Sequence, residues 1–188
     1  MNRADCPTVQ EEQLLRQHLA ECEPRAALLV ELGLEAGLRL SELLGLKVGD
    51  VWHAGQPKSV LRVMRHALKG GHGVRRRSVR NRQIPLNAAA RTALMNCLGQ
   101  LGTNSGADAP LFPSQKGGGH LPIQRRHGGR LIKKIFLGAG LDPSPVWAGH
   151  SLRRRFVRRL YAATRDICLV RTAIGQSSIG NHAIIPRV

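Results

Sequence analysis

The chain's 188 residues leave room for one core-bearing domain and are short for two. An apolar fraction of 42% suits a soluble fold, no run approaches the roughly 18 apolar residues of a membrane span, and residues 1–16 lack a signal-peptide pattern, so a cytoplasmic location is expected. The formal net charge of +17, from 29 Lys and Arg against 12 Asp and Glu, points first to a polyanionic partner, nucleic acid; a solubilising or RNA-coating surface is the blander alternative.

Residues 8–22 suit a first helix, with Thr8 as its cap and Glu11 three positions later as in a capping box. Glu23-Pro24 breaks it. Residues 25–36 form a second, strongly apolar helix stopped by Gly37. Ser41 can cap a short third helix through Leu44, and residues 47–51 read as a turn into a strand. Residues 59–68 alternate and are β-prone. They are followed by Lys69-Gly70-Gly71, five arginines within residues 75–82, and Gln83-Ile84-Pro85-Leu86. This predicts a β-hairpin with a long basic tip, mobile alone because like charges repel.

Asn87 caps a helix over residues 88–98, residues 99–109 form a Gly/Ser/Asn loop, and Leu111-Phe112-Pro113-Ser114 is a short apolar anchor. Residues 122–139 predict a basic helix carrying Arg125, Arg126, Arg130, Lys133 and Lys134, with Leu131, Ile132, Ile135 and Phe136 on its core side. Residues 151–164 and 166–174 complete the helices. The fold class is mostly α with one small antiparallel β-sheet, an α+β arrangement. The four cysteines (Cys6, Cys22, Cys97 and Cys168) have neither CxxC nor zinc spacing and read as reduced structural thiols. No metal and no cofactor is expected.

Five stretches, forming four ordered boxes, carry a resemblance. Ala36-Gly37-Leu38-Arg39-Leu40-Ser41-Glu42-Leu43-Leu44-Gly45-Leu46 resembles the first-arginine box of the tyrosine recombinases, the phage integrase family. Leu111-Phe112-Pro113-Ser114, Ala139-Gly140-Leu141-Asp142-Pro143 and His150-Ser151-Leu152-Arg153 are similar to its middle and second-arginine boxes, in the same order. Ile174-Gly175-Gln176-Ser177-Ser178-Ile179 resembles its late Leu-Gly-His-Ser-Ser box. The match covers the family's catalytic domain, so residues 1–188 are expected to be a single catalytic-type domain without the family's N-terminal core-binding domain.

The resemblance implies metal-free phosphoryl transfer on double-stranded DNA, by a fold that is likewise mostly α, with copies assembling as a homo-oligomer on the DNA. A tyrosine attacks a DNA phosphate, two arginines and a histidine hold its oxygens, and a lysine protonates the departing 5′ oxygen. Arg39 matches the first arginine; the alternative for it is a salt bridge to Glu42 or Asp50. Arg153 matches the second arginine and His150 the histidine three residues before it, which otherwise reads as a helix cap. Lys69 matches the hairpin lysine, although counting back from Pro85 with the usual spacing lands near Arg77. Arg75, Arg76, Arg77, Arg80, Arg125, Arg126, Arg130, Lys133 and Arg154 are the expected DNA-binding residues.

Two positions depart from the family. Gln176 stands where histidine is usual; it donates a hydrogen bond but carries no charge. Ile185 falls at the nucleophile position, in Ile184-Ile185-Pro186-Arg187-Val188, and has nothing to attack with. The sole tyrosine, Tyr161, reads as a core residue whose hydroxyl reaches the surface. Two functions therefore stand: site-specific DNA strand cleavage and rejoining, impaired or dependent on a tyrosine from elsewhere, and a non-catalytic DNA-binding remnant of an integrase. A general basic RNA-binding protein is a third, disfavoured by four ordered boxes.

Overall fold

A computed structural model describes residues 5–63, 81–99, 106–116 and 118–175. Helix α1 (Val9–Leu19) starts at Thr8, whose hydroxyl accepts the Glu11 N–H at 3.2 Å while the Glu11 carboxylate accepts the Thr8 N–H at 2.7 Å. That reciprocal box satisfies two otherwise orphaned donors. Helix α2 (Pro24–Ala36) has proline in its first turn and the Glu23 carboxylate on the N–H groups of Arg25 and Ala26. It is buried at every position from Leu28 to Ala36, as expected of a helix apolar on all sides. Gly37 ends it in the left-handed region at φ 57°, which glycine adopts without steric cost.

The second half of the first-arginine box is helix α3 (Leu40–Leu44), capped from Arg39 rather than Ser41. The Glu42 carboxylate reaches back to the Arg39 N–H at 2.8 Å, so the cap falls two residues earlier than the serine suggests. Residues 48–51 are a single helical turn, α4 (Val48–Val51), and not a plain turn into strand. Its Asp50 carboxylate accepts the Lys47 N–H at 2.8 Å. A minimal hairpin follows, β1 (Trp52–His53) with β2 (Gln56–Pro57), turning at Ala54 and Gly55, both at positive φ.

Strand β3 (Val60–Val63) pairs antiparallel with β4 (Arg82–Pro85), in register from Val60 with Pro85 to Val63 with Arg82. Leu61, Val63, Arg82 and Ile84 face inward. Asn87 caps α5 (Ala88–Leu98) by accepting the Ala90 N–H at 3.0 Å. Helix α6 (Arg125–Gly138) starts three residues later than its composition suggests. The preceding stretch is held extended, with Ser114 N–H on Leu121 O and Ile123 N–H on Phe112 O. Helix α7 (Gly149–Thr164) crosses α2 at two glycines: a Cβ on Gly33 would lie 2.6 Å from Leu152 Cδ1, and one on Gly37 2.3 Å from Phe156 Cδ1. Helix α8 (Ile167–Ile174) ends at Gly175, φ 63°.

The main core gathers α2 with α5, α6, α7 and the β3–β4 pair. Val157, Val170 and Ile174 form a smaller cluster between α7 and α8, with Phe156, Leu160 and Tyr161 against it. The architecture is mostly helical with, among the described residues, two small antiparallel sheets, one more than the sequence suggested. No helix among the described residues is long and apolar enough to cross a membrane.

Candidate functional site

Three segments distant in sequence meet at one buried carboxylate. Glu42, its side chain 1% exposed, lies at the start of α3. Arg39 Nη1 donates to its Oε1 at 2.6 Å. Arg82 Nη2 from β4 stands 3.8 Å from its Oε2, and Arg153 Nη1 from α7 stands 4.0 Å from the same oxygen. Three guanidinium groups thus share one carboxylate. Asp50, the other partner considered for Arg39, serves as the Lys47 cap instead.

Arg153 is buried, and two backbone carbonyls hold its fork: Nη1 donates to Gly37 O at 2.6 Å and Nη2 to Ile174 O at 2.7 Å. Gly37 is the left-handed stop of α2 and Ile174 the last residue of α8, so two helix C-termini point their unpaired carbonyls at one cation. Burial and the neighbouring charge of Arg39 lower the Arg153 pKa to about 9; Glu42 opposes this and Arg82 adds to it. The group remains charged at neutral pH. Burial also lowers Arg82, with Glu42 opposing.

His150 is the second residue of α7 and reaches solvent. It is not the cap. Ala148 holds that position, and its N–H donates to the Ser151 hydroxyl at 3.1 Å. Partial burial of the imidazole, then the charges of Arg153, Arg125, Arg39 and Arg154, push its pKa below the ordinary histidine value. It is therefore neutral near pH 7 and can both donate and accept.

His150 also lines a cleft of about 370 Å³ with Leu40, Gly129, Ala148, Gly149, Arg125 and Arg126. The two arginines sit in the first turn of α6, where exposed backbone N–H groups favour an anion. Arg130, Lys133 and Lys134 continue along the exposed face of α6, opposite the buried Gly128, Ile132, Ile135 and Phe136. Arg154 is half-buried on α7.

The structure thus brings Arg39, His150 and Arg153 to one place, with Arg125 and Arg126 at its edge. Lys69, Arg75, Arg76, Arg77, Arg80, Gln176 and Ile185 lie outside the described residues. Arg82 is the group that sequence reading missed by folding it into the basic tip. One signal pointed to it: in Arg82-Gln83-Ile84-Pro85-Leu86 it shares the alternation of Ile84 and Leu86, the inward face of a strand.

Residues 8–184 match the phage integrase family. The tyrosine recombinase XerD of Corynebacterium glutamicum is 32% identical over 164 residues, covering 85% of this chain and 47% of that protein. XerD of Caulobacter vibrioides is 31% identical over 168 residues, covering 87% of this chain and 50% of that protein. The chain therefore spans about half the length of the curated relatives it matches. Among solved structures, XerA recombinase superposes with a TM-score of 0.74 at 20% identity, over 97% of this chain and 58% of that one. The XerH site-specific recombinase in a pre-cleavage complex with its difH substrate gives 0.72 at 21% identity, over 100% of this chain and 52% of that one. The mostly helical fold, the ordered arginine boxes and a family match running almost end to end agree: the chain belongs to the phage integrase family, the tyrosine recombinases.

Proposed function

We propose that this chain grips duplex DNA and seats one backbone phosphate at Arg39, His150 and Arg153, as the catalytic-type domain of a site-specific recombinase that cleaves and rejoins strands. The observation that carries this is the surplus of positive charge at one buried carboxylate: buried Arg82 and Arg153 and part-exposed Arg39 against the single Glu42. A buried cation without full compensation is costly, and a docked phosphate supplies the missing charge. The same groups stabilise the charge that develops on the phosphoryl oxygens when the backbone is attacked. The attacking hydroxyl is that of a tyrosine supplied from elsewhere, since Ile185 stands at the nucleophile position; Lys69 protonates the departing 5′ oxygen and Gln176 donates one neutral hydrogen bond. Arg125, Arg126, Arg130, Lys133 and Arg154, with Arg75, Arg76, Arg77 and Arg80, hold flanking phosphates. Copies of the chain assemble on the DNA, in the cytoplasm.

A second reading rests on Ile185 and Gln176, which leave the nucleophile position inert and one wall of the pocket uncharged. On that reading the chain is an integrase remnant that binds DNA without chemistry. A pool of nicked duplexes with randomised cores separates the two on a denaturing gel. A covalent protein–DNA adduct establishes cleavage. Salt-sensitive duplex binding with no adduct at any protein concentration establishes the remnant. No duplex binding at moderate salt overturns both.

A further inference from the structure

Arg82 is the only arginine of the 75–82 run among the described residues, and it is 7% exposed. Burial of a guanidinium is costly unless its donors are met. Arg82 meets this poorly: Nη1 donates to Ile174 O at 2.7 Å, while Nε and Nη2 have no hydrogen-bond partner among the described residues. As a structural residue it is a weak choice, because an apolar side chain of similar length fills the same space without the desolvation cost.

Its two polar neighbours are informative. The Ile174 carbonyl that accepts from Arg82 also accepts from Arg153 Nη2. The Glu42 oxygen that Arg82 faces is the one that Arg153 faces. Among the described residues, the carbonyl and the carboxylate that Arg82 meets are thus both shared with Arg153. The end of α8 also rests directly on it: a Cβ on Gly175 would lie 2.8 Å from Arg82 Cδ and 3.0 Å from its Nη1.

We propose that Arg82 is a positioning residue of the phosphate pocket: by fixing the Ile174 carbonyl and facing Glu42 from the sheet side, it holds the Arg153 guanidinium where a phosphate meets it. Arg82 itself touches no phosphate, since its free nitrogens are buried. The proposal rests on the reading of Arg153 as an anion-binding group. It also explains how β4, the last strand of the basic hairpin, is tied to the stretch that opens the late box.

The test is a double-mutant cycle of Arg82→Met with Arg153→Met, read on the imidazole of His150 by NMR titration of the free protein. The main charges acting on His150 are Arg153 and Arg154 on its own helix, Arg125 of α6 and Arg39 beside α3. A change at His150 that vanishes in the Arg153→Met background therefore reports a displaced Arg153. Arg82→Met is expected to raise the His150 midpoint by about half a unit and to do nothing further in the Arg153→Met background. Arg82→Lys, which keeps a charged donor for Ile174, is expected to restore the midpoint. An unchanged midpoint, or equal shifts in both backgrounds, overturns the proposal. If Arg82→Met does not fold, Arg82→Gln goes through the same cycle, with a smaller shift of the same sign expected and the same results against it. Duplex affinity at fixed salt supplies a parallel cycle: about a tenfold loss for Arg82→Met, with no added loss when Arg153 is already methionine. Failure of the unsubstituted chain to bind duplex counts against the DNA reading alone, because the His150 cycle needs no DNA.

Discussion

At the scale of single residues, Glu42 sets the character of the pocket. It gives its short contact to Arg39 at 2.6 Å and leaves Arg82 and Arg153 at 3.8 and 4.0 Å. The remaining positive potential acts on His150. Burial and the surrounding arginines hold its pKa below 6.5 in the free protein, whereas a bound phosphate favours the imidazolium and raises it. On the proposed seating of a phosphate at His150, anion binding takes up a proton there. Affinity for duplex DNA is expected to be greatest below the free-state pKa, to fall as pH rises through the bound-state pKa, and to level off above it. Measured from about pH 5 to about pH 8, this dependence should disappear in His150→Gln. A pH-independent unsubstituted chain would show that His150 meets no phosphate.

At the scale of elements, a buried ionic network joins α1, α2 and α7. Glu12 accepts from Arg155 and from Arg159 Nη1, the latter at 2.9 Å. Arg16 bridges Glu12, Glu31 and Glu35. Glu35 also takes Arg159 Nη2 at 2.6 Å and Asn87 Nδ2 at 2.6 Å. The network anchors the flank of α7 whose first turn carries His150. Burial alone raises the Glu12 carboxyl, but hydrogen bonds from Arg155 and Arg16 and the charge of Arg159 outweigh it and hold the pKa below 4.5. Glu31 goes the other way, raised by burial with Arg16 only partly opposing. A depressed folded-state pKa gives stability that is present above the unfolded value and lost as pH falls through the folded one. Glu12 therefore supplies stability above pH 4.5 that acid removes, and Glu31 offsets part of that loss. Glu12→Gln is expected to cost about 3 kcal/mol at pH 7 and to flatten the acid limb of stability below pH 4.5 in denaturant melts. A change within about 0.5 kcal/mol would mark the network as energetically idle.

At the scale of the whole molecule, the formal charge of +17 includes a basic helix that begins at the cleft. Helix α6 contains no acidic residue and presents Arg125, Arg126, Arg130, Lys133 and Lys134 along its open face, beginning at the cleft shared with His150. Long-range attraction of this kind follows counterion release, with a slope of about −0.9 in log K against log salt for each phosphate neutralised. Replacing Arg125, Arg126 and Arg130 together by Gln is expected to reduce the magnitude of that slope by about 2 to 3 in fluorescence-anisotropy titrations, with the fold intact because all three are exposed. A slope equal to that of the unsubstituted chain would place the DNA on another face.

What the sequence determined by itself is what chemistry within a few residues decides. The Thr8–Glu11 box, the glycine stops at Gly37 and Gly175 and the Asn87 cap are all local events. They locate the helices, and the order of the arginine boxes carried the family. Partners for buried charge are chosen at a distance, and these only the tertiary structure decided. The acceptor shared by Arg82 and Arg153 lies 92 residues from one and 21 from the other. Glu31 and Glu35 lie on a helix that reads as plain core, yet they are buried because Arg16 and Arg159 arrive from elsewhere to neutralise them. A buried ion is tolerated only where opposite charge and carbonyls converge from several elements, and that convergence exists only once the chain has folded.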